Sequence, residues 1–262
     1  MTAPPLAITI PEGRGYRDPL TGQVVPSVTT VLRLLAKPGL DAWKLRQVAE
    51  AAVHHHDHLE KLRLGHGDRV AVERLSQAAN RIADRAAERG TAVHASAEAW
   101  AKGEPLPELA SEHEGYAQAF RSFVGDWRPS FADAEVTIWD EELGYAGTLD
   151  ARVVVEVEGR RHVIDYKTSK AVHPEAALQL AALANAPEVV HPHGRREPAP
   201  KVEGGLVVRL GADGGYGVHR VDIGFSGFAW QAFTHLVGIW WLMHRGDLVS
   251  EALPAPGREA AV

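Results

Sequence analysis

The chain of 262 residues contains no cysteine. This absence excludes disulfide bonds, zinc sites built on cysteine and iron–sulfur clusters held by cysteine. A chain without cysteine suits a reducing compartment, so we expect a cytoplasmic protein. The opening residues MTAPPLAITIPEG have early prolines and no leading positive charge, which predicts no secretory signal peptide.

Long apolar runs and an excess of basic residues are also missing. No stretch reaches the roughly 20 apolar residues that span a bilayer. The nearest, residues 225–243, contains Gln231 and His235 and is typical of a buried helix. The formal net charge is −6, whereas many nucleic-acid-binding domains are basic. The global charge therefore weighs against a DNA partner, although positive potential can be local.

The composition that remains is that of a folded protein. Hydrophobic residues make up 45% of the chain and charged residues 24%, which excludes disorder along its whole length. Apolar periodicity predicts helices first, then three strands, a helix, a strand pair and a last helix. The predicted segments are a hairpin at residues 16–25, helices at about 41–64, 68–89, 91–103, 111–127, 174–185 and 226–245, and strands at 134–140, 145–159, 161–168, 205–210 and 216–222.

Local signals set the boundaries of these segments. Ser27 is predicted to cap a short helix that follows the hairpin. Gly90 is predicted to end the helix at 68–89, with Thr91 as the cap of the next helix. We expect an α/β (α+β) fold with three parts: a hairpin and helical lobe at 1–89, a mixed core at 90–250 and a disordered tail at 251–262.

The strongest chemical signal is VIDYKT at residues 163–168. Side chains alternate along a strand, so Asp165 and Lys167 are predicted to share one face. A carboxylate that holds a divalent cation, beside an ammonium that positions water or a phosphate, suits metal-assisted hydrolysis. The same D-x-K pattern also fits a strand end with a surface ion pair.

A second signal is GTLD at residues 147–150, which ends in Asp150. A tight turn at Gly159 is predicted to join this strand to VIDYKT. If the two strands pair as antiparallel neighbours, Asp150 and Asp165 lie close together. Two close carboxylates repel each other unless a cation or a proton lies between them. The alternative is one aspartate in a solvated turn.

Further candidates lie on the neighbouring elements. His94 in GTAVH can supply a nitrogen ligand to a site otherwise made of oxygen, and Glu98 follows one helical turn later. Gln179 is a candidate contact for a phosphate or for the lysine. Glu135, at the start of the first strand of the three, is a candidate ligand for a second ion. A histidine or glutamine on a helix more often serves only as packed or solvated surface, and for Glu135 and Glu98 an ordinary charged surface residue is an equal alternative.

Taken in order, the four motifs resemble the RecB-type branch of the PD-(D/E)XK nucleases. That branch has a histidine-bearing helix, a G-x-x-D strand, a D/E-x-K strand and a Q-x-x-x-Y helix, and the likeness covers residues 88–185 directly. SVTTVL at 27–32 is also similar to small stand-alone exonucleases of this type from actinobacterial phages. The chain departs from the pattern at Leu183, where tyrosine is expected, and in lacking cysteines for an iron–sulfur cluster.

The resemblance implies a restriction-endonuclease-like core of order αβββαβ with a mixed central sheet. It also implies one or two Mg²⁺ or Mn²⁺ ions and no iron–sulfur cluster. Lys167 would then be the catalytic lysine, with Gln179 as its supporting contact. The metal ligands that it implies are His94, Asp150, Asp165 and the backbone carbonyl of Ile164, with Glu135 and Glu98 as additional candidates.

The resemblance further implies an exonuclease of little sequence specificity that acts on single- or double-stranded DNA ends. Its role would lie in DNA recombination, repair or phage DNA processing, and a homo-oligomer is left open. The rival hypothesis is a non-catalytic DNA-binding or assembly protein on the same fold. Retention of the aspartates and the lysine speaks against that rival.

Two polar segments stay open. Of the histidines at 54–58, only His54 and His58 could share an ion if one helix carried them, and a solvated helix face is favoured. The loop at 191–204 carries Arg195, Arg196 and Lys201. It could contact a DNA backbone or be an ordinary solvated loop.

Overall fold

The computed structural model describes residues 6–105, 107, 110–155, 159–199 and 201–244, apart from the side chains of 131–135 and 150–155. These residues form an α+β protein with a three-stranded sheet, a seven-stranded sheet and eight α-helices. The predicted tail at 251–262 lies outside the described residues.

A small antiparallel sheet begins the chain, with strands β1 (Ala7–Ile10), β2 (Gly13–Arg17) and β3 (Val24–Pro26). The predicted hairpin is confirmed as the β2–β3 pair, in which Tyr16 lies opposite Val25, whereas β1 was not predicted. The predicted cap is also confirmed, because Ser27 Oγ accepts the backbone N–H of Thr30 at 3.0 Å. Helix α1 (Val28–Val31) follows that cap, with a 3₁₀ turn at Leu32–Leu34.

The helical lobe consists of α2 (Pro38–His54), α3 (His56–His66), α4 (Asp68–Ser76) and α5 (Ala78–Ala101). The break near Gly67 is confirmed, with that glycine at a φ of 87°. The end predicted at Gly90 and the cap predicted at Thr91 are wrong, since both residues lie inside α5. Glycine within a helix costs only about 1 kcal/mol relative to alanine, and packing of Val93 and Ala97 offsets that cost. The boundary predicted at residues 89/90 falls within α5.

The main sheet consists of β4 (Pro129–Asp140), β5 (Tyr145–Val155), β6 (Arg160–Lys167), β7 (Glu188–Val190), β8 (Arg196–Pro198), β9 (Gly204–Leu210) and β10 (Tyr216–Val221). Its strand order is β10-β9-β6-β5-β4-β7-β8. Neighbouring strands in it are antiparallel except β6 and β9, which run parallel. The three predicted central strands and the later strand pair are confirmed, while the short edge strands β7 and β8 were not predicted.

Helices cover both faces of this sheet. On one face, α5 and α6 (Glu114–Trp127) pack against Ile164 and Tyr166 of β6. On the other face, α7 (Glu175–Asn185) and α8 (Phe228–His244) pack around Val163 and Val207. Strand β6 is buried on both faces, which explains why apolar residues occupy consecutive positions at Val163 and Ile164 instead of alternating with polar ones.

The apolar stretch at residues 225–243 forms most of α8, as predicted. Trp230, Phe233, Val237 and Trp240 of this helix are buried in the core shared with α7. In the part of the chain that the structure describes, no helix has both the length and the apolar character needed to cross a bilayer.

Candidate active site

The polar end of β6 forms the centre of the site. Asp165 is 1% exposed, and Lys167 is partly buried beside it. The ammonium of Lys167 donates to Asp165 Oδ1 at 3.0 Å and lies 2.7 Å from Oδ2. The prediction that both side chains share one face is therefore confirmed. The lysine compensates the charge of a carboxylate that has lost most of its hydration.

Helix α7 brings a third polar group to this pair. Gln179 Oε1 accepts a hydrogen bond from the Lys167 ammonium at 3.2 Å, so the predicted contact with the lysine is confirmed. The ammonium is thus held between a carboxylate on the sheet and an amide on the helix. This arrangement fixes the position of a side chain that otherwise has several free rotamers.

Leu183, one turn after Gln179 on α7, is packed into the core instead of facing the polar group. A Cβ built on Gly147 would approach Leu183 Cδ2 to 2.7 Å, so the glycine of GTLD makes room for this leucine. Where the family pattern has a tyrosine, this chain therefore has a tight contact between α7 and β5.

Asp150 and Glu135 are described only through their backbone positions. Ala151 of β5 pairs with Ile164 of β6. Asp150 directly precedes Ala151 in the chain, and Asp165 directly follows Ile164. On the other side of β5, Ala151 and Leu149 pair with Ala134 and Val136 of β4. Asp150 lies between Leu149 and Ala151, and Glu135 lies between Ala134 and Val136. The register therefore aligns Glu135, Asp150 and Asp165 across three adjacent strands.

His94 of α5 approaches β6 from the opposite layer. Its ring meets that of Tyr166 edge-on, with centroids 6.4 Å apart and an interplanar angle of 78°. Tyr166 stands between Asp165 and Lys167 in sequence, and its side chain packs on the α5–α6 face. His94 therefore lies beside β6, the strand that carries Asp165 and Lys167, while its role as a metal ligand stays a prediction.

Other candidate ligands lie in different surroundings. Glu98 forms an ion pair with Lys102, which directly follows the last residue of α5. The side chain of Ile164 is buried in the core, and its backbone lies between β5 and β9, so its carbonyl stays a candidate only. Among the side chains that the structure describes, no three acidic or histidine residues are grouped around a common ion position. Asp150 and Glu135 lie outside that set.

The two open segments are resolved differently. The predicted single helix around residues 54–58 is wrong, because α2 ends at His54 and α3 begins at His56, and the five residues are exposed. In the loop at 191–204, Arg195 pairs with Glu197, and Arg196 forms ion pairs with Asp18 and Glu188. These partners leave Arg196 little freedom to contact DNA.

Two tyrosines that the sequence did not single out hold the GTLD strand in place. Tyr145 donates a hydrogen bond to the backbone carbonyl of Ala182 on α7 at 2.9 Å. Burial, and to a smaller degree the charge of Asp140, raise the pKa of Tyr145 well above its ordinary value, so it remains a donor. The Tyr16 hydroxyl is 2.7 Å from Thr148 Oγ1, which ties β2 to the same strand.

Models of known protein families were searched without a match to this chain, and no curated protein matches it either. The fold and the site define a general class: an α+β protein with a buried aspartate–lysine pair at the end of a central strand.

Proposed function

We propose that the protein is a metal-dependent deoxyribonuclease of the PD-(D/E)XK type, which acts as an exonuclease on DNA ends. The observation that carries this proposal is the Lys167 ammonium held between buried Asp165 and Gln179. A surface ion pair, the main alternative for a D-x-K sequence, does not bury its carboxylate to 1% exposure.

The order of the elements supports the same proposal. Helix α5 is followed, with α6 inserted, by the neighbouring strands β4, β5 and β6. Helix α7 comes next and, after the inserted edge strands β7 and β8, β9, which is parallel to β6. With the insertions set aside, this order agrees with the αβββαβ order expected of a restriction-endonuclease-like core. The candidate motifs fall on the elements that such a core assigns to them: His94 on the first helix, Asp150 and Asp165 on the middle strands, and Gln179 on the second helix.

The donor types suit a divalent cation of the Mg²⁺ or Mn²⁺ kind. Asp165 offers a buried carboxylate, and the register aligns the positions of Asp150 and Glu135 with it. Asp150 and Asp165 would hold the ion, and His94 would have to reach it from the α5 face, beside Tyr166. Glu135 would serve a second ion. When bound, such a cation neutralises charge on the scissile phosphate and makes a nearby water more acidic.

Lys167 and Gln179, the two polar residues that contact each other beside Asp165, then have distinct roles. Lys167 would orient the attacking water or stabilise the charge that develops on the phosphate. Gln179 gives the ammonium a second acceptor, so Lys167 keeps its position when Asp165 shares its oxygens with a cation. None of these groups reads a base edge, which agrees with little sequence specificity.

The direct test is incubation with end-labelled linear DNA and covalently closed circular DNA, in Mg²⁺, Mn²⁺ or EDTA. We expect metal-dependent loss of the linear substrate only. Lys167→Met, purified in the same way, reports any contaminating nuclease and is expected to be inactive. Binding of DNA without cleavage in either metal would favour the non-catalytic DNA-binding hypothesis, and equal activity of the variant would refute the proposed site.

Gln179→Leu is expected to lower kcat for linear DNA about tenfold, the effect of one lost hydrogen bond to a charged group. The leucine removes the 3.2 Å acceptor of Lys167 while keeping a similar volume on α7. Steady-state kinetics measure the effect. Gln179→Glu is the matched variant, since it keeps an acceptor oxygen, and it is expected to retain more activity. An unchanged kcat in the leucine variant would show that the contact is not needed.

A further inference from the structure

The parallel pair of β6 and β9 brings a second basic residue next to Lys167. Lys167 and Arg209 are register partners in this pair, and neighbouring strands lie about 4.8 Å apart. Val207, two residues before Arg209, packs into the core below α7. Because side chains two residues apart share a face, Arg209 lies on the α7 face of the sheet, as Asp165 and Lys167 do.

Arg209 is partly buried, and within the described part of the chain its guanidinium has neither a hydrogen bond nor an ion pair. This is unusual, because a guanidinium carries five N–H donors and loses hydration when it is partly covered. The nearby carboxylate of Asp213 is used within its own turn, where it accepts the backbone N–H of Gly215. The missing acceptor is therefore best supplied by an anionic ligand.

The next strand leaves room for such a ligand. Arg209 pairs with Gly217 of β10, which has no side chain to cover the guanidinium. A Cβ built on Gly217 would meet only His219 Nε2 within 4 Å, at 3.4 Å. The strip from Lys167 across Arg209 to Gly217 thus carries two basic side chains and is uncovered at Gly217, with the His219 imidazole beside that glycine.

We propose that Arg209 binds a backbone phosphate of the DNA strand next to the scissile bond. This proposal rests on the proposed nuclease function and names a substrate contact of the same site. A planar guanidinium can hold two phosphate oxygens at once, which a lysine cannot. The strip would guide the strand from β10 toward Asp165 and Lys167, whatever its bases.

The test is steady-state degradation of end-labelled linear DNA at several salt concentrations, with wild type, Arg209→Gln and Arg209→Lys. We expect Arg209→Gln to raise KM about tenfold with kcat nearly unchanged, since the contact holds substrate and transition state alike. The slope of log(1/KM) against log[salt] should become shallower by roughly 0.7–0.9, the value for one lost phosphate contact. Arg209→Lys should keep that slope while KM rises less.

Arg17→Gln is the matched control, because it removes the same charge from an exposed arginine of β2 on the small sheet. If Arg209→Gln had the same KM and the same salt slope as Arg17→Gln, the role of Arg209 would be overturned while the nuclease function stands. A KM change with an unaltered salt slope in Arg209→Gln, together with a lower melting temperature, would also overturn it and mark the arginine as structural. Failure of the wild type to degrade DNA would instead sink the proposed function.

Discussion

Asp165→Asn is expected to abolish DNA cleavage, with a rate lower by on the order of 10³-fold or more. Asparagine keeps the shape and one oxygen of the aspartate but removes its negative charge. The substitution therefore weakens cation binding and removes the carboxylate that holds the Lys167 ammonium at 2.7 Å. Two functions of the site are lost in one change, which is why we expect this substitution to have the largest effect on activity.

Initial rates of label release with Mg²⁺ and with Mn²⁺ measure this effect, and calorimetric titration with Mn²⁺ should show weaker binding than in the wild type. Asp84→Asn is the matched control, because Asp84 is exposed on α5 and its substitution changes the net charge equally. A thermal melt separates lost chemistry from lost folding. If Asp165→Asn cleaved DNA at the wild-type rate with either metal, the assignment of this site would be disproved.

The arrangement around Asp165 was predictable because it depends on local rules. Strand alternation determines that Asp165 and Lys167 share a face, and the next helix in the chain covers that face with Gln179. The turn at Gly159 makes β5 and β6 neighbours, so Asp150 falls beside Asp165 in the register. Each of these relations spans at most about thirty residues of chain.

Some helix boundaries could not be predicted from the sequence, because they depend on tertiary packing that local residue patterns do not show. Gly90 and Thr91 carry the sequence signals of a helix end and a cap, yet α5 continues through both. Val93 and Ala97 are buried against the sheet together with Phe120 and Phe123 of α6. That burial stabilises the uninterrupted helix by more than the glycine costs. The histidine-bearing motif thus lies within a long helix instead of beginning one.

Contacts between distant segments could not be predicted at all. Asp18 and Arg196 are 178 residues apart in sequence and form an ion pair between the hairpin and the edge strand β8. Tyr16 and Thr148 meet across 132 residues. A loop rich in arginine reads as a surface segment, and only the fold reveals that one of its arginines is surrounded by carboxylates.

Arg196→Met is expected to destabilise the protein by about 3–5 kcal/mol at neutral pH, the cost of leaving a buried charge without its partner. Asp18 is 1% exposed and would lose the guanidinium that compensates its charge. Arg196 also pairs with Glu188 and with Glu141, and its guanidinium carbon lies 5.7 Å from the Trp139 ring centroid. Methionine keeps the contact with the ring but none of the ion pairs.

The control for this variant is its neighbour, Arg195→Met. Arg195 is 66% exposed in its side chain; its partners among the described residues are Glu197, which is itself partly exposed, and the His191 ring. Its loss should cost less than about 1 kcal/mol, as is usual for surface ion pairs. Urea unfolding of both variants and of the wild type measures the difference. Similar free energies of unfolding for the two variants would contradict the role of Arg196 as the link between the two sheets.

The pH dependence of the same measurement has a definite sign. Burial alone would raise the pKa of Asp18, but the backbone N–H groups of Thr21 and Leu20 and the Arg196 guanidinium outweigh it and lower the pKa. An aspartate with a lowered pKa stabilises the fold above its unfolded value near 3.9, and that contribution is lost as the pH falls through the folded value. The gap between wild type and Arg196→Met should therefore be full at pH 7 and shrink below about pH 4. A gap that stays constant into acid would mean that Arg196 acts through its packing on Trp139, not through the Asp18 carboxylate.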